Sequence, residues 1–241
     1  MKSVPILLAA LSALSLGACD KLDDAAFGQR VHAYLLDHPE VLEQMVAKLD
    51  EKKQAKAAQA HEASQASLPK YRAQLERDPR DLVANPGGTI TVVQFADYKC
   101  GYCKLAAPEV LKLVDENPDV RFVFKEFPIF HGVSDTAAKI ALTPAAKAKG
   151  LILYRDWMAE DALDDAGIDR RLRAVGIDPA QARKAAQDPA IASQIADTQK
   201  LAQALNIQGT PAYVIGDVII PGADIPAIQA AIAQAKAGKK A

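Results

Sequence analysis

Cys100 and Cys103 stand two residues apart in the run Phe95-Ala-Asp-Tyr-Lys-Cys-Gly-Tyr-Cys-Lys104. Thiols at i and i+3 can meet across one helical turn, close enough for a disulfide. The residues before them, Thr89-Ile-Thr-Val-Val-Gln-Phe95, are mostly β-branched or aromatic and read as a strand. A helical pattern follows from Lys104. Where a strand hands over to a helix, unpaired backbone N–H groups and partial positive charge favour a thiolate. Cys100 is expected at the cap, open to substrate, with Cys103 one turn on and beneath it. The chemistry this pattern supports is thiol–disulfide exchange.

Other readings of the pair are a structural disulfide and half of a zinc site. A structural zinc site usually needs about four Cys or His ligands. No second Cys-x-x-Cys exists, and His32, His38, His61 and His131 are scattered. An inert disulfide would need burial away from the helix mouth. The pattern therefore calls for no metal and no cofactor. His131 reads as a loop residue, and Tyr154 and Trp157 as core. Asp97 and Tyr98 flank the dithiol without a role that their spacing reveals.

The chain that must position these thiols has 241 residues, enough for one sizeable domain and an appendage. Lys and Arg number 29 against 30 Asp and Glu, so bulk charge gives no footing for nucleic acid or an anionic membrane surface. Half the residues are hydrophobic, much of that alanine, which points to a helix-rich body. Met1-Lys2 and the apolar run Pro5 to Ala18 read as a signal peptide, too short to span a bilayer. It ends Leu16-Gly17-Ala18-Cys19, which resembles the lipobox of bacterial lipoproteins. Residues 1–18 are expected to be removed and Cys19 lipidated, accounting for the odd third cysteine. The dithiol then works in a disulfide-permissive compartment.

Residues 19–67 read as a helical region for oligomerisation and linkage. Phe27, Val31, Tyr34 and Leu35 lie at helical spacing, and Pro39-Glu40 opens a second helix striped by Val41, Leu42, Met45, Val46 and Leu49. That stripe is too short for a core and is expected to pack on copies of itself. Pro69 to Pro86 reads as charged and turn-rich, and a second domain is placed at 68–241, its first strand near Thr89. Val120–Phe127 reads as a strand covered on both faces. Residues of about 134–205 read as a helical block, with Gly150 and Gly176 as stops and Asp178-Pro179 and Asp188-Pro189 as starts. Ala212–Ile220 reads as a hairpin turning at Gly216-Asp217, and Asp224 as the cap of a last helix.

The dithiol run, the helical block and Gly209-Thr210-Pro211 before the hairpin together resemble the DsbA family of thioredoxin-fold proteins, over about Gly88 to Ala237. Tyr34-Leu-Leu-Asp-His-Pro-Glu-Val-Leu-Glu43 is similar to the N-terminal region of ScsC-type members. The resemblance implies an α/β class: a thioredoxin fold with an inserted helical block, preceded by a helical region that trimerises. It implies Cys100 as nucleophile, Cys103 as resolving thiol, and Pro211 as a cis-proline preceded by Thr210. With Gly101 and Tyr102 these would line the substrate site. The Gly-Tyr dipeptide and Thr210 are similar to the pairing of the DsbC isomerases. Expected partners are cysteine-containing exported proteins and a membrane redox protein, a reductase rather than a quinone-linked oxidant. The expected place is the periplasm, anchored as a lipoprotein. The expected function is that of an exported disulfide isomerase or reductase; a dithiol oxidase, and a non-enzymatic envelope lipoprotein or metal carrier, are the competing functions. One departure stands out. The family often has a buried acid six residues before the first cysteine, where this chain has Gln94.

Overall fold

The computed structural model describes residues 24–238; the signal-like segment, Cys19 and the final three residues lie outside the described residues. The chain divides into two compact units, up to Lys56 and from Ala57 onward.

The first unit holds α1 (Asp24–Asp37) and the beginning of α2 (Glu40–Glu76). The helices part at His38-Pro39, where His38 Nδ1 lies 3.0 Å from Glu40 Oε1 and its ring packs on Tyr34. Glu40 and Glu43 in the first turn of α2 suit the positive end of its dipole. Phe27, Val31, Tyr34, Leu35, Leu42, Met45, Val46 and Leu49 are each 40–65% exposed. No helix among the described residues is long and apolar enough to cross a membrane.

The second unit is built on a sheet of β1 (Leu82–Ala84), β2 (Ile90–Ala96), β3 (Val120–Glu126), β4 (Ala212–Ile215) and β5 (Val218–Pro221), ordered β1-β3-β2-β4-β5. β2 and β3 are parallel and the other pairs antiparallel. The central strands β2 and β3 are buried along their whole length, as expected for β3 from apolar residues in both of its alternation phases. Helix α3 (Gly101–Glu116) links β2 to β3. The helices α4 (Val133–Ala141), α5 (Pro144–Lys147), α6 (Gly150–Met158), α7 (Asp165–Ala174), α8 (Pro179–Ala185) and α9 (Pro189–Ala204) fill the gap between β3 and β4. Helix α10 (Ile225–Gly238) closes the unit, with the Asp224 carboxylate accepting from Ala227 N–H. Asp178 and Asp188 cap α8 and α9 ahead of a first-turn proline, and Gly176 ends α7 at φ +78°.

Alternation along β2 sends residues to two different cores. Val92 and Ala96 join α3, α6, α10 and both Cys100 and Cys103. Val93 and Phe95 join Leu68 and Leu75 of α2, Leu201 of α9 and Leu205 at its C-cap.

Three local expectations are corrected. Pro69 does not break the chain: α2 runs through it to Glu76, so a boundary at 68 falls inside a helix. Leu68, Tyr71 and Leu75 lie at i, i+3 and i+7 and pack against the second sheet face, outweighing the one hydrogen bond a proline removes. Burying Leu68 and Leu75 contributes about 1.5–3 kcal/mol each. β1 was not anticipated, because its three residues take shape only by pairing with β3. Gly150 starts α6 rather than stopping a helix; a side chain there would run into Leu82 of β1.

Candidate active site

Cys100 is the N-cap of α3, and its sulfur accepts from the Cys103 N–H at 3.4 Å. The Cys100 thiol donates to the Thr210 carbonyl at 3.1 Å, and the Thr210–Pro211 peptide bond is cis. Both thiols are free. Cys103 is fully buried, as expected, but Cys100 is also only 3% exposed. The expectation of an open thiol fails because the side chain turns inward to Thr210. Gly101 leaves the helix mouth uncovered, and Tyr102 projects outward, 67% exposed. The Thr210 hydroxyl is buried beside Cys100 with no hydrogen-bond partner among the described residues.

The two thiols are driven apart in acidity. Cys100 is pulled down to about 6, first by hydrogen bonding from the Cys103 side chain and then by the N–H groups of Cys103 and Tyr102. These outweigh the desolvation that opposes them. Cys103 is pushed far up by burial and by its neighbour Cys100. At neutral pH one sulfur is a thiolate and the other a thiol, the division of labour that exchange chemistry needs.

Beneath the dithiol, Gln94 occupies the position of the missing acid. It lies opposite Phe124 on β3 and Tyr213 on β4. Its amide accepts from the Tyr154 hydroxyl and donates to Tyr213, both at 3.1 Å. Two charged residues of β3 lie near Gln94 in the sheet, and of these Lys125 is on the other sheet face, sharing the side of Phe95. There it pairs with Asp81 and donates to the Gln74 carbonyl at 2.6 Å. Glu126 does lie on the dithiol side, accepting from the Tyr98 hydroxyl at 2.9 Å. Burial first, then the nearby Asp97 and Asp81, push Glu126 up to about 8.

This shift gives a pH prediction. A carboxyl raised in the folded state holds its proton there and loses it in the unfolded chain from about pH 4.5 upward. Its contribution is therefore favourable at low pH and is lost as pH rises through about 8. Glu126→Gln is expected to gain on the parent as pH rises, reaching about 2–4 kcal/mol at pH 8. Urea unfolding at pH 5 and pH 8 measures this, and parallel pH slopes for the two proteins would refute it.

Asp97 is the residue that spacing could not assign. Its carboxylate accepts from Lys99 N–H at 2.7 Å, Ile129 N–H at 2.7 Å, Phe130 N–H at 3.1 Å and Ser134 Oγ at 2.6 Å. It thereby ties the segment before Cys100 to the loop after β3, which displays Phe130 at 51% exposure. The only sequence signal was an Asp two residues before a turn N–H, which is common in turns. His131 is an exposed loop residue near Asp135, and Tyr154 and Trp157 are core. No group of three or more His, Cys, Asp or Glu side chains among the described residues is placed to hold a metal.

A thiol pair on one helical turn, facing a cis X-Pro bond at the end of a mixed sheet, defines a thioredoxin-fold dithiol protein. The chain belongs to the DsbA-like thioredoxin domain family, matched over residues 91–152 and 134–233, and carries the N-terminal domain of the copper resistance protein ScsC over residues 23–56. A thioredoxin-like oxidoreductase from Silicibacter pomeroyi is 37% identical, covering 68% of this chain and 97% of its own, with a TM-score of 0.65. ScsC of Proteus mirabilis in a transitional conformation is 29% identical over 89% of this chain and 99% of its own, also at 0.65. The disulfide bond formation protein D of Bacillus subtilis is 27% identical over 62% of this chain and 74% of its own. A Na(+)/H(+) antiporter NhaA 3 of Salinispora tropica is 29% identical, but the chain spans only 22% of that protein's length.

Proposed function

We propose that this chain is an exported protein thiol–disulfide oxidoreductase, acting as a disulfide isomerase and reductase through Cys100 and Cys103. The observation that carries the reading is Cys100 at the cap of α3, drawn down to about 6 beside the cis Thr210–Pro211 bond. Cys100 attacks a substrate disulfide, and Cys103 resolves the mixed disulfide if the substrate does not rearrange first. Gly101, Tyr102, Thr210 and Pro211 form the surface on which an extended substrate segment lies. Tyr102, Leu105 and Phe130, all more than half exposed, suit the apolar stretches of an incompletely folded protein.

Isomerase is preferred to oxidase for three reasons. Active-site thiols of this fold range from about 3.5 in a strong oxidant to about 7 in thioredoxin, so about 6 lies toward the reducing end. Gln94 takes no proton from Cys103, which suits attack and release through Cys100 alone. The uncovered apolar stripe of the first unit suits a trimer that holds several dithiols around one substrate. Such an enzyme is kept reduced by a membrane partner, in the periplasm, with Cys19 as lipid anchor. The oxidase reading rests instead on the match to the DsbA-like thioredoxin domain over residues 91–152 and 134–233.

The test compares the mature protein with a variant carrying Leu42→Glu, Val46→Glu and Leu49→Glu. The parent is expected to sediment as a trimer and to reactivate a scrambled-disulfide substrate. The variant is expected to be monomeric and about tenfold slower, with the second dithiol no longer at high local concentration. Equal reactivation by both removes the role of the oligomer. If neither reactivates the substrate while both oxidise a reduced one, the oxidase reading holds.

A further inference from the structure

A glutamine between two tyrosines cannot do what a carboxylate would do there. Gln94 accepts through Oε1 from Tyr154 and donates through Nε2 to the Tyr213 oxygen. A carboxylate is acceptor-only and would take hydrogen bonds from both phenols. An amide accepts at one end and donates at the other, whichever way it is turned. One phenol must therefore keep an O–H that the amide does not take. In the orientation seen it is Tyr213; with the amide turned over it would be Tyr154.

Both phenols lie in the buried cluster that contains Cys103. Burial pushes both above the ordinary tyrosine range, and the charge of the Cys103 sulfur adds to it in each case. Tyr213 follows the cis-proline by two residues, so the strand that guards Cys100 also carries this side chain into the buried cluster around Cys103.

We propose that the spare phenolic O–H donates a hydrogen bond to the Cys103 sulfur whenever that sulfur carries negative charge. Gln94 is then a positioning residue, and the two tyrosines are alternative donors. When a thiolate attacks Cys100 of the Cys100–Cys103 disulfide, a new S–S bond forms at Cys100 and the old one breaks. The electron pair goes to Cys103, in a site with little water to stabilise it. The phenol supplies that stabilisation and needs no net proton transfer. In the reverse step the Cys103 thiolate attacks Cys100 in the mixed disulfide and the substrate leaves as thiolate.

This rests on the exchange reading, and its test separates the two. Stopped-flow reduction of the oxidised full chain by glutathione is measured for the parent, Tyr154→Phe, Tyr213→Phe and the double variant. Because the amide can turn, each single variant is expected within about twofold of the parent and the double about tenfold slower. Alkylation of reduced Cys100 should keep its midpoint near pH 6 throughout. Additive losses, an unslowed double variant, or a Cys100 midpoint that moves with the rate would overturn the proposal. A parent disulfide inert to glutathione would instead remove the exchange reading itself. Should the double variant not fold, Gln94→Glu serves: it accepts hydrogen bonds from both phenols and adds a titrating group. Its reduction rate is expected to gain a pH inflection that the parent lacks, and an unchanged profile would reject the idea.

Discussion

Cys100→Ala is expected to lower thiol–disulfide exchange to the uncatalysed rate, with no rescue from Cys103. At pH 7 a thiol near 6 is about 90% ionised, whereas an ordinary one near 8.5 is about 3% ionised. Cys103 cannot take over, since it is wholly buried and held protonated by the lack of solvent around it. Cys103→Ala has the opposite signature. Cys100 remains able to attack, but the mixed disulfide has no internal thiol to resolve it and accumulates. It should be visible as a covalent adduct on non-reducing gels. Iodoacetamide labelling of the reduced parent should rise through about pH 6 and level off near pH 7. A midpoint above 8, or exchange surviving in Cys100→Ala, would rule out Cys100 as the nucleophile.

Lys125→Met is expected to cost about 3–5 kcal/mol, because it strands the Asp81 carboxylate in the interior. Both side chains are 2% exposed, and Asp81 also accepts from Gln194 of α9 at 3.2 Å. The ammonium reaches the Gln74 carbonyl at the C-terminal end of α2, while Arg121 of the same strand reaches the Glu76 carbonyl. Two cations at a helix C-terminus satisfy carbonyls that have no partner within the helix and oppose its dipole. Removing both charges with Lys125→Met and Asp81→Leu should recover most of the loss, since an apolar pair fills the site without a desolvation penalty. Equilibrium urea unfolding gives the comparison. A single variant within about 1 kcal/mol of the parent would show that the pair does not hold the end of α2 against the sheet.

What could be read in the chain beforehand was what neighbours in sequence determine. Cys100 at a strand-to-helix junction, the Gly216-Asp217 turn and the Asp-Pro starts of α8 and α9 each depend on a few adjacent residues. The continuation of α2 beyond Pro69 could not be read that way. Leu68, Tyr71 and Leu75 form a stripe whose partners, Val93 and Leu201 among them, lie far along the chain. β1 escaped notice for the same reason. At the site, Thr210 and Pro211 were legible through family resemblance, and Gln94 as a departure from it. The work of Asp97 was not, because three of its four donors come from the segment after β3. Glu126 and Lys125, adjacent in sequence, face opposite sides of the sheet with different fates, and only the strand register separates them.

The helices between β3 and β4 place the two halves of the dithiol site far apart in the chain. Gln94 and Tyr213 are hydrogen-bonded partners separated by 119 residues. Lengthening such a loop is cheap at equilibrium, about 0.6 kcal/mol per doubling, but long-range pairing slows the approach to the native state. As the chain is made from its N-terminus, Cys100 and Cys103 appear long before the strand bearing Pro211. For that interval the thiols have their helix but neither Thr210 above nor Tyr213 below. A newly made molecule thus meets oxidants before it has the fold that governs its own reactivity.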